Sequence, residues 1–154
     1  MGWQRQDNGP SIQAAVEEAI LNFCGEEVEV IAAGRTDSGV HALGMTTHFA
    51  LLNNNHDPAT VRKAINFHLG SQPIKIIETE IVPDSFHARF SAIERRYLYR
   101  ILNRQSPPTL DSGRVWHVPR KLDIAEMQKA AEMLIGEHDF SSFRAKDCQA
   151  ASPI

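Results

Sequence analysis

Cysteine is nearly absent from this 154-residue chain: Cys24 and Cys148 stand far apart, outside any Cys-x-x-Cys or Cys/His ligand spacing. Neither a disulfide framework nor a structural zinc site is suggested. Net charge is slight, −3 with histidine neutral, which argues against indiscriminate binding of polyanions but leaves room for a local patch. No apolar run approaches the length of a membrane span, and no charged-then-apolar leader precedes a cleavage site, so a cytoplasmic location is the expectation. Low-complexity tracts and internal repeats are also missing. What remains, 42% hydrophobic and 23% charged, is the composition of a folded protein, long enough to bury about 68–70% of its unfolded surface around one core.

Charge is unevenly spread. Between Phe86 and Arg104 stand five arginines (Arg89, Arg95, Arg96, Arg100, Arg104) and one acid, Glu94, while acids gather at Glu17, Glu18, Glu26, Glu27 and Glu29.

Periodicity divides the chain into elements. "PSIQAAVEEAILNFCG" puts Ile12, Val16, Ala19, Ile20 and Phe23 on one helical face, opened by Pro10 or Ser11 and closed by Gly25. "EVEVIAA" alternates as a strand, and "GMTTHFALL" reads as a second. "DPATVRKAINFHLG" has an Asp cap, a proline at the first helical position, Val61, Ile65 and Leu69 on one face, and Gly70 as its stop. "IKIIETEIV" and "RRYLYRIL" follow as strands, the latter with Tyr97, Tyr99 and Ile101 on one face. After the loop "NRQSPPTLDSG" come a short strand, "RVWHV", and a third helix, "LDIAEMQKAAEMLIG", with an Asp123/Glu126 capping box and Gly136 behind it.

The order α-β-β-α-β is that of a split βαββαβ unit without its first strand, an α+β class. "MGWQRQDNG" reads as a loop resuming in mid-fold, and "CQAASPI" stops as a further element would begin. A fragment is the expectation: residues 1–103 as a ferredoxin-like half without its first strand, residues 104–154 as the start of a second half.

The chemistry-bearing candidate is "GRTDSGVHALG", residues 34–44, directly after the first strand. Aspartate in such a turn commonly hydrogen-bonds its own backbone. Alternatively the loop presents Asp37 to a cleft, with Arg35 two residues earlier favouring the charged, nucleophilic carboxylate or gripping a phosphate. A second Asp-Ser-Gly at 111–113 raises an aspartic-protease dyad, which an adjacent arginine would oppose. Tyr97 and Tyr99 are either strand core or a stacking platform for an unpaired base, with arginines on the flanking phosphates. Trp3 could belong to core or groove. His41 could serve the turn, bond backbone or sit in the site.

Taken in order and at these intervals, "GWQRQ", "AGRTDSGVHALG" followed by "HF", "FHARFSAIERRYLYRI" and "GEHDFSSFRA" resemble the tRNA pseudouridine synthase A family over nearly the whole chain. The resemblance implies an enzyme that converts uridines of the anticodon stem-loop of tRNA to pseudouridine, without an organic cofactor or metal, as a homodimer. It implies a cleft between two ferredoxin-like halves sharing one mixed sheet. On that likeness Asp37 matches the catalytic aspartate, Arg35 the arginine that helps extrude the target base, and Tyr97 the ring that stacks on uracil. Arg96 is a further substrate-binding candidate. Met45 stands where the family usually has glutamine, and Gly70 where proline commonly ends the second helix. The family's first strand and the basic partner of its aspartate would lie outside residues 1–154, so little or no turnover is expected of this chain alone. A noncatalytic RNA-binding role for the same fold is the alternative.

Overall fold

A computed structural model of the chain describes residues 1–6, 9–53 and 55–144. These form two compact units, one of Met1–Arg100 with Asp111–Arg114, the other of Ile101–Leu110 and the chain from Val115 onward.

The first unit is built on two helices. In α1 (Ile12–Cys24) the Ser11 hydroxyl accepts the Ala14 N–H at 3.1 Å, filling one of the donors a helix start leaves orphaned. Gly25 ends it at φ 78°, a left-handed value that favours glycine, with its N–H bonded to Leu21 O at 2.7 Å. Helix α2 (Pro58–Leu69) is capped by Asp57, whose carboxylate accepts the Thr60 N–H at 3.1 Å. Its stop, Gly70, has φ 56° and donates its N–H to Asn66 and Phe67 carbonyls. Proline could satisfy neither requirement, which explains glycine at this position.

The expected faces are the buried ones. Val16, Ala19 and Ile20 from α1 meet Val61, Ile65 and Leu69 from α2, with Val30, Ala32 and Trp3 completing the core. Ile12, Phe23 and Met45 pack against it, half-buried.

Strand formation is scantier than the sequence pattern suggests. β1 (Ile31–Ala32) pairs antiparallel with β2 (Thr47–His48), Ile31 opposite His48 and Ala32 opposite Thr47. "EVEVIAA" shrinks because α1 side chains take over the backbone before β1. The buried Glu17 carboxylate accepts the Val30 N–H at 3.1 Å, and Gln13 Nε2 donates to Val30 O at 3.3 Å. Gln13 Nε2 also donates to Glu17 at 3.0 Å, and Arg5 Nη1 reaches Glu17 Oε2 at 2.9 Å, so the buried charge is paired.

The strand expected over "IKIIETEIV" joins no ladder. Its polar groups are claimed by α2 instead: the Asn66 amide donates to Ile76 O and accepts from Ile76 N, both at 2.8 Å, like a length of paired backbone. Arg62 Nη1 donates to Ile77 O at 3.0 Å, and the Thr79 hydroxyl donates to Pro58 O. An open groove is lined by Met45, Phe49 and Leu51 together with Ile74, Ile76 and Ile81.

Beside β2, two histidines fasten the loop "FHARFS". Nδ1 of His48 accepts the N–H of Ala88 at 3.1 Å, and Nδ1 of His87 accepts those of Arg89 and Phe90 at 3.2 and 3.3 Å. Acceptance at Nδ1 requires it unprotonated. Burial, and then the His87 ring 4.8 Å away, hold the His48 pKa below the ordinary 6.5. The unfolded chain therefore binds the His48 proton more readily than the folded one, so stability falls as pH drops below 6.5 and through the depressed native value. Urea midpoints from about pH 8 to pH 5 should decline over that window in the wild type. His48→Asn, which keeps an acceptor but does not titrate, should flatten the decline; an unchanged slope would remove His48 as its source.

In the second unit, β3 (Ile101–Asn103) runs parallel to β4 (Trp116–Val118), with Ile101 opposite Trp116. "RRYLYRIL" thus contributes only its last two residues to a strand; residues 95–100 join no ladder, and Tyr97, Leu98 and Tyr99 are all exposed. Asn103 stitches the unit together, donating to Val118 O at 2.7 Å and accepting the Leu122 N–H at 3.1 Å. Helix α3 (Ile124–Glu132) starts where expected, with Asp123 Oδ1 accepting the Glu126 N–H at 3.1 Å. The capping box is half made, because Glu126 pairs with Lys129 at 2.6 Å. The helix stops short of Gly136 as its end tightens into i→i+3 bonds, Leu134 to Ala131 and Ile135 to Glu132. Among the described residues, no helix is long and apolar enough to cross a membrane. Cys148 and "CQAASPI" lie outside them.

Candidate active site

The loop after β1 is fixed from below by the first residues of the chain. Trp3, buried in the core, donates its backbone N–H to Thr36 O at 2.9 Å. Its own carbonyl and that of Gly2 receive the first amides of α1, Gln13 N and Ile12 N, both at 3.0 Å. Residues 2 and 3 therefore lie between the helix start and the loop, bonded to both. Trp3 belongs to the core.

Gly2 sits where a side chain would crowd the loop backbone. A Cβ on it would come within 3.0 Å of Thr36 O, 3.2 Å of Ser38 N and 3.3 Å of the Asp37 carbonyl carbon, all backbone atoms. Gly2→Ala must lift the loop or push back the segment, at a cost of about 1–3 kcal/mol. Amide exchange at Trp3 and Val40 should accelerate while that of α1 residues beyond its first turn does not; unchanged exchange at both would contradict this packing.

On this support Asp37 begins a turn, its carbonyl accepting the Val40 N–H at 3.1 Å, with Gly39 at φ 87°. That is the left-handed value a type II turn requires at its third residue. The bonds of the turn are backbone bonds. Among the described residues the Asp37 carboxylate has no hydrogen-bond or ion-pair partner, and it is exposed, as is Arg35. The turn is therefore present without the side-chain bond that would consume the carboxylate. Arg35 and Asp37 do not pair with each other, so both stay open to a ligand.

His41 bonds backbone: Nε2 lies 3.2 Å from Gly113 O, joining the two Asp-Ser-Gly loops within this unit. Asp111 is ion-paired to Arg100 at 3.2 Å, so its carboxylate is engaged by a guanidinium rather than set against a second carboxylate as a protease dyad needs.

Tyr97 is 79% exposed, so it is not the buried strand residue that its alternation allowed. Its hydroxyl lies 4.0 Å from the point where a Cβ on Gly34 would stand, which sets Tyr97 beside the first residue of the motif. Tyr99 is exposed too. The arginines of the 89–104 cluster are mostly engaged. Arg96 makes a two-pronged bond to Glu94, at 2.7 and 3.0 Å, which holds its guanidinium more firmly charged. Arg104 donates to the carbonyls of Ser106 and Pro107, while Arg89 lies over the Phe90 ring, 5.7 Å from its centroid. Arg95, given no role of its own within the arginine cluster of the sequence, donates Nε to Ala33 O at 2.8 Å and Nη2 to Arg89 O at 2.9 Å. Its signal was available: it stands two residues before Tyr97, on the same side of an extended backbone. Among the described residues no cluster of histidine, cysteine and carboxylate side chains could hold a metal ion.

Residues 2–91 match the family model described as tRNA pseudouridine synthase. Curated proteins named tRNA pseudouridine synthase A are similar throughout. The one from Rhodospirillum rubrum is 58% identical over 99% of this chain and 55% of its own length. That from Rhodospirillum centenum is 54% identical over the whole chain and 62% of its own, and that from Parvibaculum lavamentivorans 51% over the same shares. This chain thus spans little more than half the length of the relatives it matches. With the family match spanning the Asp37 loop and identity to these relatives above one half along the chain, it belongs to the tRNA pseudouridine synthase family.

Proposed function

We propose that this chain carries the catalytic half-site of a tRNA pseudouridine synthase acting on uridines of the anticodon stem-loop, with Asp37 as the catalytic carboxylate. The observation that carries the reading is an exposed carboxylate without a partner among the described residues, on a turn closed by backbone bonds alone. The relatives' name supports the substrate and the reaction.

The isomerisation breaks the bond from uracil N1 to ribose C1′, turns the base and joins C5 to C1′; C5 gives up its proton and N1 gains one, so nothing is consumed. A carboxylate divides that step by forming a transient bond or by stabilising a glycosyl cation. The target nucleotide must first leave its stack, at a cost of a few kcal/mol. Arg35, uncommitted beside Asp37, holds the vacated place in the RNA. Tyr97 receives the extruded uracil, an aromatic stack being worth about 1–3 kcal/mol. Arg96 contacts phosphate by exchanging Glu94 for it.

The same reading assigns a ferredoxin-like architecture, with residues 1–103 as one half, 104–154 as the start of the other, and the pair sharing a mixed sheet. A further strand in the groove lined by Met45, Phe49, Ile74 and Ile76 would complete the split βαββαβ order. On this reading a protein of the relatives' full length is a homodimer in the cytoplasm and needs no organic cofactor. To test the substrate, unmodified tRNA is treated with a protein of the relatives' full length carrying this sequence, and pseudouridines are mapped by carbodiimide and primer extension. Stops confined to the anticodon stem-loop are expected; stops elsewhere, or none, would overturn the assignment.

A further inference from the structure

We propose that Arg95 is a positioning residue that fastens Tyr97 to the mouth of the Asp37 loop; this rests on the reading of Asp37 and Tyr97 just given. Arg95 is the arginine whose guanidinium spans two parts of the first unit. Nε donates to Ala33 O at 2.8 Å and Nη2 to Arg89 O at 2.9 Å, acceptors separated by 62 and 6 residues from it in sequence. Both are backbone carbonyls. The Ala33 carbonyl stands at the end of β1, two residues before Arg35, and the ladder engages only the other side of that residue, Ala33 N to Thr46 O at 2.8 Å.

The consequence is geometric. Residues 95–100 join no strand, so no ladder fixes where Tyr97 stands. The guanidinium supplies that constraint: Arg95 Nε lies 3.9 Å and the Tyr97 hydroxyl 4.0 Å from the position of a Cβ on Gly34. A planar fork can serve two carbonyls in fixed directions, whereas a lysine ammonium can hold only one of them well. Neighbouring Arg96 bonds Glu94 and, among the described residues, neither Ala33 nor Arg89.

The chain has two tyrosines, so 3-fluorotyrosine labelling gives two fluorine resonances, assigned with Tyr97→Phe. Arg95→Gln should move the Tyr97 resonance towards its unfolded position and leave Tyr99 in place, with helical circular dichroism retained; Arg95→Lys should move it part of the way. A Tyr97 resonance unmoved in a folded Arg95→Gln protein would overturn the proposal. Should Arg95→Gln not fold, the Arg95→Lys spectrum decides in its stead. In a protein of the relatives' full length, Arg95→Gln should lower kcat by roughly 10- to 100-fold with little change in KM. Combined with Tyr97→Ala it should add little further loss, since both act through one ring; fully additive losses would contradict action through Tyr97. If pseudouridine formation fails the mapping test while the fluorine shift is seen, the tether stands and the functional reading falls.

Discussion

Trp3→Ala is expected to destabilise the protein by about 3–5 kcal/mol, the cost of emptying an aromatic site in a packed core. Trp3 is 6% exposed and shares with Val16, Ile20 and Ile65 a cluster of nine buried residues among those described, so little else can collapse into the space. That loss is a large fraction of the 5–15 kcal/mol by which domains are ordinarily stable. The effect should reach the loop as well, because the Trp3 backbone holds both Thr36 and the first turn of α1. Trp3→Phe, which refills most of the volume, should recover the greater part. Urea unfolding followed by circular dichroism checks both; a Trp3→Ala midpoint near wild type would mean the indole is not a core group.

Asp37→Asn is expected to lower turnover by roughly 10³-fold or more while leaving tRNA affinity within a few fold of wild type. Asparagine keeps the size of the side chain but neither forms the covalent bond nor stabilises positive charge at C1′. Among the described residues nothing bonds the carboxylate: the turn is closed by the Asp37 carbonyl and the Val40 N–H, and the loop is held by Thr36 O. Stability should therefore change little. Release of tritium from uracil C5, compared with salt-dependent filter binding in a protein of the relatives' full length, separates the two effects. Equal losses of binding and turnover would assign Asp37 to recognition instead.

The helices were legible because their signals are local. Ser11, Gly25, Asp57 and Pro58 act within a turn of where they stand, and the apolar period fixes which face is buried. The strands were less legible because a strand is defined by its partner. Residues 74–82 alternate well enough, yet Asn66 and Arg62 take their backbone groups; residues 95–100 likewise gain no ladder. In the site, the Asp37 loop was readable from its motif, whereas its support was not. That Gly2 lies under Thr36 and Ser38, and that Arg95 rather than Arg96 reaches the end of β1, depend on contacts between segments tens of residues apart. The uneven arginine charge was visible, but not its commitment to Glu94, Asp111 and backbone carbonyls.

In the proposed site a backbone-closed turn presents the Asp37 carboxylate to an extruded uridine beside Tyr97. The most direct test of this arrangement is a crystal structure of the Asp37→Asn protein, at the relatives' full length, bound to tRNA. The target uridine is expected out of its helix, its base against the Tyr97 ring and its ribose within contact of Asn at position 37. A uridine lodged away from the 34–44 loop, with the residue 37 side chain still facing solvent, would contradict it.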